Sequence, residues 1–172
     1  MPRTRAAGIG HLHYTRVIGQ ERSTGEWFSS AAQVANRLYA IPIQVFRRFA
    51  VSKLGWVISV QAGNIRTGIY RDNGDTPVGG ALLIDNGGVA CGLGNRKQEV
   101  DCVLILEPGL YWLAMVCDAA PTLIASQGIG VLGGTLLKGR VAFAYAALPN
   151  PFPAGFVADL DTPYQYLIGL NV

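Results

Sequence analysis

The chain has little charge and no long greasy run. Only 15% of its 172 residues are Asp, Glu, Lys or Arg, half are hydrophobic, and the mean hydropathy is +0.28. So apolar a composition excludes a disordered chain, which stays solvated through its charge. The cleanest apolar stretch, Val141 to Leu148, is eight residues, far short of the roughly 20 a membrane-spanning helix needs. Arg3 and Arg5 have no apolar run behind them, so the start does not read as a secretory signal. The expectation is a protein made in the cytoplasm, with no membrane partner.

Histidine is scarce: His11 and His13 are the only two. With no G-x-S-x-G either, nucleophilic catalysis has little to build on, and no enzyme activity is expected. In an extended strand both imidazoles face one side. Two ligands do not close a metal site, although three chains meeting on a threefold axis would supply six. Surface histidines in an arm are the other reading. The three cysteines, Cys91, Cys102 and Cys117, are odd in number, lack metal-site spacing and lie among apolar residues, so buried free thiols are expected.

Other motifs fall short of a site. Gly128-Ile129-Gly130-Val131-Leu132-Gly133 fits G-x-G-x-x-G, but a dinucleotide site needs that run inside a βαβ unit, and more glycines follow where its helix should begin. No cofactor is expected. Asp159 and Asp161 could ligate calcium or carbohydrate, but they sit in a Pro/Gly-rich loop, where turn-forming is the commoner role. Asp72, Asn73 and Asp75 resemble a cation loop without the bidentate Glu such a loop ends on, which favours an Asx-turn.

What the sequence does have is glycine (22) and proline (9), spread between many short apolar segments. Those residues supply the backbone angles of tight turns, so the pattern argues for strands and turns. Strand-like runs cover Leu38 to Phe46, Phe49 to Val60, Ile65 to Tyr70, Ala81 to Ile84, Glu99 to Leu106, Leu110 to Cys117, Thr122 to Ala125, Val141 to Ala146 and Tyr166 to Leu170. Pro42 predicts an edge or bulged strand, since it has no N–H to donate. Asp85-Asn86-Gly87-Gly88 reads as a strand end. With no convincing long helix, the expected fold is all-β, a jelly-roll β-sandwich.

The net charge of +3 is carried by one end. Residues 1–22 hold Arg3, Arg5, Arg16 and Arg22 against Glu21, and the rest of the chain balances. Residues 1–35 show no sustained pattern beyond a short helical turn over Ser29 to Asn36, and read as an N-terminal anchoring arm; residues 36–172 read as the body. A basic arm suits docking on an acidic partner or a nucleic-acid backbone, and at least as well an exposed solvated tail. No basic patch interleaved with aromatics occurs elsewhere, so nucleic-acid binding by the body is disfavoured.

The clearest hairpin signal is Glu107-Pro108-Gly109 between Glu99–Leu106 and Leu110–Cys117. If Leu106 opposes Tyr111, then Val100, Cys102, Leu104 and Leu106 share a face with Tyr111, Leu113, Met115 and Cys117. The other face carries Val103, Ile105, Leu110, Trp112, Ala114 and Val116. Two dry faces imply either a covered central strand or a subunit contact. The surplus of apolar residues points the same way, towards self-association.

Several stretches taken together resemble a group of tailed-bacteriophage virion proteins with a jelly-roll head. Asn36-Arg37-Leu38-Tyr39-Ala40-Ile41-Pro42 looks like the opening strand of that group. Gly68-Ile69-Tyr70-Arg71-Asp72-Asn73-Gly74, with Pro77 and then Ala81-Leu82-Leu83, resembles its hairpin. Leu106-Glu107-Pro108-Gly109-Leu110-Tyr111-Trp112-Leu113-Ala114 is similar to its most recognisable element, and Leu148-Pro149 with Phe152-Pro153-Ala154-Gly155 to its closing loop.

The resemblance covers roughly residues 36–172. It implies a tumour-necrosis-factor-like sandwich, a homotrimer, in a tail fibre, head fibre or capsid decoration, held by other virion proteins. It gives Gly68, Gly74, Pro108 and Gly109 turn or close-packing roles and Tyr111, Trp112 and Leu113 packing or interface roles. No heptads or collagen-like repeat precede the body, which favours a short appendage over a long fibre. The alternative is a module gripping host-surface glycan through loops such as Arg71 to Gly80.

Overall fold

The computed structural model of the protein describes residues 15–17, 27–92, 96–127, 138–159 and 161–172. None of these residues is helical, and no helix is long and apolar enough to cross a membrane. The twelve described strands are β1 (Thr15–Val17), β2 (Trp27–Ala32), β3 (Arg37–Val45), β4 (Phe49–Val60), β5 (Asn64–Arg71), β6 (Leu82–Ala90), β7 (Arg96–Leu106), β8 (Gly109–Cys117), β9 (Thr122–Gln127), β10 (Gly139–Ala142), β11 (Val157–Ala158) and β12 (Gln165–Asn171). They form two six-stranded antiparallel sheets, consistent with a β-sandwich.

Sheet A is built on β4. β7 runs along one edge of it, from Phe49↔Leu106 to Ile58↔Arg96. Its other edge is shared: β12 pairs with Phe49 to Trp56, and β9 takes over at Ile58 and Val60. β1 extends β12 and β2 extends β9. Sheet B has the order β11-β10-β3-β8-β5-β6. Alternating residues of both sheets fill the space between them. Ile41, Ile43, Phe49, Leu54, Trp56, Ile58, Ile69, Leu113 and Met115 are all buried there.

Four expectations are corrected. No hairpin joins β7 to β8, because β7 lies in sheet A and β8 in sheet B. The Pro-Gly turn is real, but it carries the chain over to the opposite sheet. There β8 gains a neighbour on each side, β3 and β5, where a hairpin end strand would have one. Tyr111 Oη locks the crossing by donating to the Glu107 carbonyl at 2.9 Å. The residues grouped with Tyr111, Leu113, Met115 and Cys117 do meet them, but across the sandwich: Cys102 and Leu106 share their cluster and Val100 and Leu104 pack against it. Period-two patterning reports a strand's faces and not its partner.

The helical turn over Ser29–Asn36 is replaced by β2, paired with β9 from Trp27↔Gln127 to Ala32↔Thr122. An arm segment with no pattern of its own becomes a strand because a neighbour offers its ladder. Asp85-Asn86-Gly87-Gly88 does not end a strand. β6 runs on to Ala90 with a register shift opposite Arg66 and Gly68, since glycine-bearing bulges are tolerated inside a ladder. β10 stops at Ala142, short of Ala146. Pro42 sits in a strand flanked on both sides, but β10 reaches only Arg37 to Ala40, so β3 has a single neighbour where the missing donor falls.

Candidate functional site

The two sheets differ in what covers their outer faces. On sheet B, β8 turns Trp112, Ala114 and Val116 outward, in register with Pro42, Ala40 and Leu38 of β3 and, for the first two, Tyr70 and Gly68 of β5. Residues 143–156 pass over this surface as a strap. Leu148 and Phe152 of the strap are buried with those residues, and Phe143, Tyr145 and Phe156 pack against them. Three edge-to-face ring contacts tie the layer: Tyr70–Phe152 at 5.0 Å, Trp112–Phe156 at 5.8 Å and Phe152–Phe156 at 5.8 Å. The strap lies tight on Gly68: a Cβ there would stand 2.4 Å from both Leu148 Cδ1 and the Ile84 carbonyl.

Polar groups hold the strap at four places. Gly79 N–H donates to the Phe152 carbonyl and Phe152 N–H to the Gly80 carbonyl, each at 3.0 Å. Tyr70 Oη donates to the Pro149 carbonyl at 2.7 Å, and Leu82 N–H to Asn150 Oδ1 at 3.1 Å. Asn36, in the left-handed region at φ 58°, accepts from Phe143 N–H with its carbonyl and from Tyr145 N–H with its side chain. Asp85 is the fourth. Its carboxylate accepts from Arg66 Nε at 2.8 and 2.9 Å, from Gly87 N–H at 2.9 Å and from Leu148 N–H at 2.9 Å. Burial alone would raise its pKa, but the guanidinium and the two N–H donors outweigh burial and hold it below the usual carboxylate value.

The Arg71–Gly80 loop turns its polar groups onto its own chain. Asp72 Oδ1 accepts from the buried Trp112 Nε1 at 2.7 Å, and its Oδ2 from Asp75 N–H at 3.0 Å. Asn73 Nδ2 donates to the Val78 carbonyl and its N–H to the Thr76 carbonyl, each at 3.0 Å. Gly74 and Asp75 take φ of 73° and 63°, a turn that suits glycine and is tolerated by Asp. Asp159 is likewise structural: it pairs with Arg140 and accepts from Asp161 N–H at 2.8 Å, an Asx-turn.

Among the described residues, no group of three His, Cys, Asp or Glu side chains could hold a metal. His11, His13 and Gly128 to Gly133 lie outside the described residues, as do Arg3, Arg5 and Arg22. Arg16 is in β1, opposite Ile168. Cys102 and Cys117 are buried free thiols, pushed by burial to pKa values of about 11 and about 12. Cys91 is half-buried. Tyr111 and Leu113 are buried in the inter-sheet core, Trp112 under the strap, and Pro108 and Gly109 lie at the crossing between sheets. Sequence reasoning missed Asp85, Arg66, Asn36 and Asn150. Each anchors a segment far away in the chain, and no local spacing marks such a bond.

Sheet A by contrast leaves apolar residues exposed on its outer face, and none of the described residues forms a strap over them. Val103 and Ile105 on β7 are 84% and 51% exposed, and Val172 beyond β12 is 60% exposed. They lie with Ala50, Leu170 and Ile168 on one side of the sheet. No protein-family model matches the chain, and no curated protein matches it.

Proposed function

We propose that this protein is a non-enzymatic structural subunit of a tailed-phage particle, a short appendage or decoration with a jelly-roll body, attached to the capsid or tail through its N-terminal residues. The observation that carries the reading is the strand order. Sheet B contains β3-β8-β5-β6 in sequence, and sheet A contains β9 or β12, then β4, then β7. The chain changes sheet at β2/β3, β3/β4, β4/β5, β6/β7, β7/β8, β8/β9, β9/β10 and β11/β12; from β2 to β9 this is the alternation that two interlocked Greek keys produce. The polar groups near that body serve its own loops and strap, which suits a rigid building block. Its tumour-necrosis-factor-like character and threefold assembly follow from the resemblance alone. The expectation of self-association from two dry faces no longer draws on β8, a covered central strand, and rests on β7, whose Val103 and Ile105 are exposed.

The anchoring segment is narrower in this reading than residues 1–35, because β1 and β2 belong to sheet A. The test uses purified particles and a chain lacking residues 1–14. The full chain should be found in the particle by imaging and by mass spectrometry. The shortened chain should keep its β-rich circular dichroism and be absent from particles. A full chain missing from purified particles sinks the proposal. A shortened chain that still attaches removes the anchoring role. The glycan-binding alternative draws no support from the Arg71–Gly80 loop, whose Asp72 and Asn73 are bonded internally.

A further inference from the structure

Charge on the open face of sheet A is arranged in columns. On β7 and just past its end, Asp101 and Glu107 bracket Val103 and Ile105. On β4 and just before its start, Lys53 and Arg48 bracket Ala50 and Ser52. The register links the columns row by row: Glu107 with Arg48 through a 3.0 Å ion pair, Ile105 with Ala50, and Asp101 with Lys53. On β12, Val172 and Leu170 continue the first two of these rows. The result is an apolar centre between two charged rims. Each rim has its acid on β7 and its base on β4. Lys97 and Glu99 lie farther along β7, opposite Val57 and Gly55, outside the apolar rows.

We infer that this face is an interface between two copies of the chain, related by a twofold axis parallel to the strands and passing between β4 and β7. Such a rotation keeps the rows and exchanges the columns. Glu107 then faces the partner's Arg48, Asp101 the partner's Lys53, and Ile105 the partner's Ala50. Acid lies over base at both rims, and between them the apolar Ile105 and Ala50 of each copy close on Ala50 and Ile105 of the other. An apolar centre within a polar, charge-matched rim is the anatomy of a protein interface. A second copy supplies the matching array by symmetry, and the isologous contact closes without growing into a filament. It also covers Val103 and Ile105, which an edge strand otherwise leaves open to aggregation. The inference does not depend on the particle reading.

Sedimentation equilibrium of the full chain at micromolar concentration tests it. The expected assembly has an even number of chains: a dimer, or a hexamer where a threefold contact elsewhere also forms. Asp101→Lys sets lysine against the partner's Lys53, and Lys53→Asp sets aspartate against the partner's Asp101. Each variant alone should halve the assembled mass. An equal mixture of the two should restore it, because each unlike pair again meets opposite charge at both positions. Both residues are exposed, so circular dichroism should match the native chain and exclude misfolding as the cause, while the melting temperature falls with the loss of the partner. A native chain that is monomeric or trimeric overturns the inference. So do variants that keep the native mass, or a mixture that fails to recover it.

Discussion

β7 and β8 are consecutive strands joined by two residues, both rich in apolar side chains, and they meet opposite fates. β8 lies between β3 and β5 with one face in the inter-sheet core and the other under the strap; Tyr111 to Cys117 are all buried. β7 buries Cys102 and Leu106 and leaves Val103 and Ile105 in water. The lesson is that apolar alternation on two faces does not report how many faces are covered. Neighbours decide that, and the neighbours come from elsewhere in the chain.

The largest test of this contrast removes a ring from the covered face. Trp112→Ala should cost about 3–5 kcal/mol, as a cavity beneath Phe156 with Asp72 left short of its indole donor. Urea denaturation measures it; a loss near zero would mean the strap does not cover β8 in solution. Asp85→Ala should come next, at about 2–4 kcal/mol, since it leaves a guanidinium and two backbone donors unmet. The sign with pH follows from its lowered folded pKa. The Asp85 contribution is complete above the unfolded value of about 3.9 and fades as pH falls through the folded one. Native and Asp85→Ala chains should therefore converge in stability below that value, and a gap that persists in strong acid would assign the loss to packing.

Gly68→Ala brings a methyl against a carbonyl and Leu148, and should cost about 1–3 kcal/mol through overpacking. A thermal melt unchanged from the native one would show that the strap yields there. On the thiols, alkylation of the native protein near pH 8 should modify Cys91 first. Cys102 and Cys117 are buried and hold at most about one thiolate in a thousand at that pH. Equal labelling of all three by peptide mass would show that the core opens readily. The smallest effect is expected at Val103. Val103→Thr keeps the β-branch on a position exposed within the chain and, made in the unassembled Asp101→Lys chain, should stay within about 0.5 kcal/mol of that parent. A loss of the size expected at Trp112 would show that the chain's own residues cover Val103.

Much of the strand inventory was legible because turn chemistry and alternation are local. Phe49 to Val60 was read to the residue, and the faces of β8 were separated correctly. β2 was not legible, since Trp27–Ala32 shows no pattern without β9 beside it. The full length of β6 was hidden by a glycine-bearing bulge that has the composition of a turn. Asp85 was hidden in the same Asp-Asn-Gly-Gly run. Its partners Arg66 and Leu148 are near only after β5 and the strap have folded against it.

The sequence by itself determined an all-β chain, turns such as those at Gly74 and Pro108-Gly109, and which side chains of a strand share a face, because these follow from backbone angles and a period of two. Only the tertiary structure decided that the Pro108 turn changes sheets, that residues 143–156 cover the outer face of sheet B while Val103 and Ile105 on sheet A stay exposed, and that Asp85 and Asp72 each take a donor from far along the chain. Those outcomes depend on competition among many long-range partners for the same backbone edges and the same apolar surface, and no local stretch of residues contains the result.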